Sequence, residues 1–84
     1  MNEEDLPLPD RLLLAMHNLC VVRPEIAKTG EEIATSLRLA AENVLGMLVD
    51  NEARGYVKSL TDSLGVRRFY LTNMGMIKVC SSFT

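Results

Sequence analysis

Apolar residues recur at helical spacing near the start of the chain: Leu12, Leu13, Met16, Leu19 and Cys20 fall on one face. The spacing predicts a first helix capped by Asp10 and running to about Val22, where Pro24 stops it. Residues 1–9, with two prolines and three acids, precede it as an extended lead-in. Leu14 and Val21 lie one heptad apart on the opposite face, beside His17 and Asn18. A helix that is apolar on two sides of a small domain needs a second partner, so this face points to self-association.

Further along, Thr29-Gly30-Glu31-Glu32 has the spacing of a capping box, and its acids suit the positive end of a helix dipole. A short second helix is expected to about Ser36, burying Ile33, Ala34 and Leu37. The segment Ser36–Leu39 then turns into a third helix, from Ala40 or Ala41 to about Arg54, closed by Gly55 as a left-handed cap. After it the period changes from helical to two. Tyr56–Leu60 reads as a strand, residues 61–65 as its turn, and Val66–Leu71 as the returning strand. In the return strand Phe69 and Leu71 share one face while Arg68 and Tyr70 share the other. Thr72 caps a last short helix to about Cys80, which Gly75 weakens by roughly 1 kcal/mol relative to alanine.

At 84 residues, with 48% of them apolar, the chain folds as a single domain over residues 1–84. So small a domain buries only about 60–65% of its unfolded surface, and a dimer would add stability. The apolar runs Leu12–Met16 and Leu19–Val22 are far shorter than the roughly 20 residues of a membrane span. Glu3, Glu4 and Asp5 stand where a secretory signal carries positive charge, so no membrane and a cytoplasmic address are expected. Cys20 and Cys80 sit among apolar neighbours and are expected as buried thiols; an oxidised intracellular environment leaves a disulfide open. With one histidine and no CxxC, neither a metal site nor a cofactor is expected.

The succession of elements carries a resemblance. The strings TGEEIATSLRLAAENV, LVDNEARGYV and RRFYLTNMG, in order and spanning residues 29–75, resemble the winged helix-turn-helix domains of bacterial and archaeal transcriptional regulators. The resemblance implies an α+β fold, mostly α, with a three-helix core, a two-stranded β wing and a short C-terminal helix. It also implies a third helix that reads the major groove of double-stranded DNA and a wing beside it.

The residues temper that implication. Net charge is −2, against the basic footprint that phosphate binding requires. Seven acids and three bases lie in residues 1–32, but six bases and four acids in residues 33–84, so any DNA-facing surface belongs to the second part. Projection of the third helix places Ala41, Val44, Leu45, Met47, Leu48 and Val49 on an apolar arc. Glu42, Asn43, Gly46, Asp50, Ala53 and Arg54 occupy the exposed arc. Positions 42, 43, 46 and 50 match those from which the resembled domains reach bases, and two of them here are acids. The candidate DNA contacts are therefore Arg38, Asn43, Arg54, Lys58, Arg67 and Arg68. The candidate dimer contacts, on the first and last helices, are Leu14, His17, Val21 and Ile77.

His17 has no acid or nucleophile at helical spacing, Glu31 and Glu32 serve capping, and no phosphate-binding glycine loop is present, so no enzyme is expected. Two functions remain: a small dimeric DNA-binding transcriptional regulator, or a winged-helix protein-interaction module that does not bind DNA.

Overall fold

The computed structural model describes residues 7–82, and for residue 82 the backbone alone. Four helices and a two-stranded sheet follow the predicted order: α1 (Leu8–Asn18), α2 (Gly30–Leu37), α3 (Ala41–Ala53), β1 (Val57–Thr61), β2 (Arg67–Leu71) and α4 (Asn73–Ser82). A single 3₁₀ turn at Pro24–Ile26 precedes α2. None of the described helices is long and apolar enough to cross a membrane.

The first helix departs from expectation at both ends. It starts two residues before Asp10, because the Pro7 carbonyl accepts from the Asp10 and Arg11 N–H groups, both at 3.0 Å. Pro9, with φ already set for a helix and no N–H to satisfy, suits that first turn. Of the expected lead-in, residues 1–6 lie outside the described residues. The helix ends at Asn18, well before Pro24. Cys20 adopts φ 59°, its N–H donates to His17 O, and the Val21 N–H donates to Met16 O at 2.9 Å. These two bonds form a Schellman motif with a cysteine in the left-handed position usually held by glycine.

That reversal redirects the side chains after it. Val21, expected on an outer dimer face, is 0% exposed and belongs to the core, and its carbonyl accepts from Leu71 N at 2.7 Å. It is therefore withdrawn as a dimer contact. Leu19 and Cys20, expected inside, are exposed. Cys80 is exposed as well, so neither thiol is buried as predicted, and both are free.

The capping box forms as read. Thr29 Oγ1 accepts from Glu32 N, and the Glu32 carboxylate accepts from Thr29 N, each at 3.1 Å. The same kind of helix ending recurs after α2 and α3. Leu39 N donates to Ala34 O with Arg38 at φ 58°, and Tyr56 N donates to Asn51 O with Gly55 at φ 85°. Each reversal throws the following apolar residue, Leu39 or Tyr56, back against the core.

β1 and β2 pair antiparallel, with Val57 opposite Leu71, Ser59 opposite Phe69 and Thr61 opposite Arg67. This face turns Val57, Phe69 and Leu71 inward, where they meet Leu12 and Met16 of α1, Ile33 of α2 and Leu48 of α3, all fully or almost fully buried. Lys28 adds a two-way backbone bridge to Phe69, at 2.8 and 3.0 Å, which fastens the segment before α2 to the free edge of β2. Asn51 is the one polar residue among the described core positions, and its amide donates to Met47 O at 3.0 Å.

Gly75 has a closer purpose than its cost to helix propensity suggested. A Cβ there would overlap the Tyr56 carbonyl oxygen and come within 2.5 Å of Leu71 Cδ1. The first turn of α4 thus crosses the start of β1 at a distance only glycine permits. Thr72 seals the crossing: its hydroxyl donates to Gly55 O at 2.7 Å and accepts from Gly75 N at 3.0 Å.

Candidate nucleic-acid interface

α3 meets solvent along a wider arc than projection indicated. Only Val44, Leu48 and Asn51 are buried, whereas Leu45 and Val49, placed on the apolar arc, are 44% and 45% exposed. The outward surface consequently has two flanks. One carries Asn43, Asp50 and Arg54, with Arg38 exposed at the preceding turn. The other, toward the wing, carries Glu42 and Leu45.

The wing is fastened to α3 by Glu52. Its carboxylate accepts from Ser59 Oγ on β1 and from the Arg67 guanidinium on β2 in two short contacts. Arg67 also lies over the Phe69 ring, 5.0 Å from its centroid, within cation–π range. Arg68, on the opposite face of β2, donates to Asp62 Oδ2 at 2.9 Å and approaches Glu32 of α2 at 3.4 Å. Arg54 pairs with Asp50 one turn earlier at 3.4 Å.

Three of the six predicted DNA contacts therefore have acidic partners within the chain. Among the described residues, Arg38 and Lys58 have none. The six do not gather into one patch, because Lys58 shares its sheet face with Tyr70 and Arg68 while Arg67 faces α3. The Arg54–Asp50 pair follows helical spacing, but the pairings across elements were not legible in the sequence, since Arg67 finds an acid 15 residues away and Arg68 acids 6 and 36 residues away. The exposed Arg54–Asp50 pair contributes about 0–1 kcal/mol, whereas the Glu52 and Asp62 carboxylates that pair with Arg67 and Arg68 are half-buried.

The wing tip is organised by Asp62. Its Oδ1 accepts from Leu64 N at 2.9 Å and Val66 N at 3.0 Å, while Gly65 takes φ 81°. The Arg68 side chain foremost, and the Val66 N–H after it, hold the Asp62 carboxyl below the usual aspartate range. A carboxyl with a depressed folded-state pKa stabilises the fold above its unfolded value, and this contribution is lost as pH falls through the folded one. The tip is thus expected to be closed at neutral pH and to loosen below about pH 4. Amide NMR shifts of Leu64 and Val66 should move together in that acid range, and Asp62→Ala should produce the loosened spectrum at pH 7. Shifts that stay constant down to about pH 2 would contradict this role.

Of the three remaining dimer candidates, His17 is exposed and Ile77 is 66% exposed. Leu14 is half-buried, packed against the core, and lines an open groove together with Leu37 of α2. Met74, one turn before Ile77 and 57% exposed, extends the apolar face of α4 and was not foreseen. Among the described residues, no group of three or more His, Cys, Asp or Glu side chains is arranged to hold a metal ion.

No protein-family model and no curated protein matches the chain. Solved structures do. A crystal structure of an S. aureus MepR–DNA complex aligns with a TM-score of 0.74 at 16% identity, covering 95% of this chain and 63% of that one. A glycine-to-lysine mutant of S. aureus MepR aligns with a TM-score of 0.74, at 16% identity, over 93% and 55% of the two chains. MepR described as a transcription regulator of the Staphylococcus aureus multidrug efflux pump MepA aligns with a TM-score of 0.70, at 18% identity, over 93% and 56%. The present chain thus spans between 55% and 63% of the length of these neighbours. At such identities the likeness is one of fold, and the fold is the winged helix-turn-helix: a helical core, α2–turn–α3 and a two-stranded wing.

Proposed function

We propose that this chain is a DNA-binding transcriptional regulator that acts as a homodimer, with α3 against the major groove and the wing beside it. One observation carries the reading. The exposed α3 and the wing are locked together through Glu52, in a fold shared with a chain solved on DNA. Arg38 and Asn43 at the entry of α3, and Arg54 at its end, form the flank that meets the duplex. Lys58, Arg67 and Arg68 supply the wing's charge, the last two by turning from their carboxylate partners to phosphates, while the Ser59 hydroxyl keeps the wing on Glu52. Asn43, on α3 itself, is suited to reading a base edge through an adenine.

Dimerisation is assigned to the outer faces of α1 and α4, through Leu14, His17 and Ile77 with Met74 beside them. It would set two α3 helices about one helical turn of DNA apart. No catalysis or cofactor is assigned, and the protein is placed in the cytoplasm with its DNA. Arg38→Glu combined with Lys58→Glu should reduce affinity for every duplex by at least tenfold at low salt, read by fluorescence anisotropy. An unchanged isotherm would sink the assignment of these two residues.

A second reading, a protein-interaction module without DNA binding, is favoured by one specific observation. The solvent face of α3 holds Leu45 and Val49 next to Glu42 and Asp50, an apolar and acidic surface. Under that reading the double charge reversal leaves the partner complex intact.

A further inference from the structure

Between the first turns of α2 and α3 and the base of the wing lies an open groove of about 420 Å³. Its apolar surface comes from Leu45 and Val66, with Gly30 and Ala41 leaving the floor low and the buried Phe69 beneath. Leu45 and Val66 are 44% and 38% exposed, unusual for apolar residues that face one another across a cleft. None of the described residues covers them.

The charges around the groove are lopsided. Arg67, the one cation among the described residues that line it, is already neutralised by Glu52. Glu31 and Glu42 also line it, both exposed and, among the described residues, without a cationic partner. Two helix N-termini border the same rim and offset these carboxylates by roughly half a charge each. About one net negative charge remains over an apolar floor. An acidic segment is repelled there, while an apolar side chain flanked by cations is complementary in both respects.

We infer that this groove docks a basic amphipathic segment of a partner protein, with one large apolar side chain between Leu45 and Val66 and its lysines or arginines against Glu31 and Glu42. The site lies on the wing-side flank of α3, apart from the Asn43–Arg54 flank, and shares only Arg67 with the residues assigned to DNA. Docking itself is independent of DNA binding. Its consequence rests on the DNA-binding reading: a segment seated between α3 and the wing obstructs a duplex lying across both, so the partner would act by displacing DNA.

The test uses the full chain and a synthetic 14-residue helical peptide of leucines and lysines, with a counterpart carrying glutamates for the lysines. Titration into isotope-labelled protein, without DNA, should shift the amides of Gly30, Glu42, Leu45 and Val66. Leu45→Ser should weaken binding about tenfold, as loss of an anchor does. Glu31→Gln with Glu42→Gln should weaken it several-fold and flatten its salt dependence. All three substitutions fall on exposed positions, so the variants should keep the parent spectrum elsewhere. Shifts centred on α4, equal binding of the glutamate peptide, or undiminished binding by the double glutamine variant would each overturn the inference. So would shifts that follow protein concentration without peptide, since a second copy would then occupy the groove. If the peptide maps to the groove while no duplex binds, docking stands and only the DNA reading fails. If duplexes bind and the peptide does not, docking alone fails.

Discussion

Gly75→Ala should lower the stability of the domain by about 2 kcal/mol, although alanine is the better helix former by roughly 1 kcal/mol. The reason is the crossing of α4 over the start of β1. The added methyl overlaps the Tyr56 carbonyl, which cannot retreat without losing its bond from Thr72 N at 3.0 Å. On its other side the methyl meets Leu71 Cδ1 at 2.5 Å, and Leu71 is fully buried. Overpacking against a backbone atom falls at the upper end of the usual cost, about 3 kcal/mol, and outweighs the propensity gain. In a domain this size the net loss amounts to a fall in melting temperature of roughly 8–16 °C. A calorimetric or circular dichroism melt checks it; a midpoint equal to or above the parent's would mean that α4 shifts freely on β1.

Phe69→Ala should be more damaging, by about 3–5 kcal/mol. Phe69 is the largest of the fully buried side chains and 1% exposed. Its backbone forms both bonds of the bridge to Lys28, and its ring lies beneath Arg67. Truncation opens a cavity where the wing, α2 and α3 meet, and the surrounding elements are too constrained to close it. Total stability for 84 residues is about 4–13 kcal/mol, so a weakly stable parent would be left largely unfolded. Leu64→Ala serves as the contrast: Leu64 is 86% exposed, and its replacement should change stability by less than about 0.5 kcal/mol. Urea midpoints for the pair separate a packed wing base from a merely tethered one. A small loss for Phe69→Ala would contradict the packing described.

These two residues also show what was legible in the sequence. Phe69 stood out from its strand alternation, because period two assigns faces without further information. The capping box at Thr29 and the glycine end of α3 were legible for a similar reason, since each is a local rule satisfied by local residues. The end of α1 was not, and the end of α2 was legible to a residue but its left-handed reversal was not. Cys20 and Arg38 occupy left-handed positions that their side chains do not advertise, and tertiary packing of Val21 and Leu39 imposes them. Once the first helix was extended past Asn18, projection put Val21 on the wrong side. It likewise assigned Leu45 and Val49 to the core, because a helical wheel gives the apolar arc but not how much of it neighbours cover. The site was legible only as a set of cations. Their pairing with Glu52, Asp62 and Glu32 depends on contacts between separate elements.

The central claim is that α3 and the wing form a surface for duplex DNA, and salt dependence tests it most directly. Affinity for a duplex of about 20 base pairs should fall linearly on a logarithmic scale as salt rises. The slope is close to 0.9 for each phosphate neutralised. With Arg38 and Lys58 free and Arg54, Arg67 and Arg68 able to exchange partners, the account predicts a slope of roughly −2 to −5 per protomer, lowered by about 2 in the Arg38→Ala, Lys58→Ala variant. No detectable binding at low salt, or an affinity that stays flat as salt is raised, would contradict it.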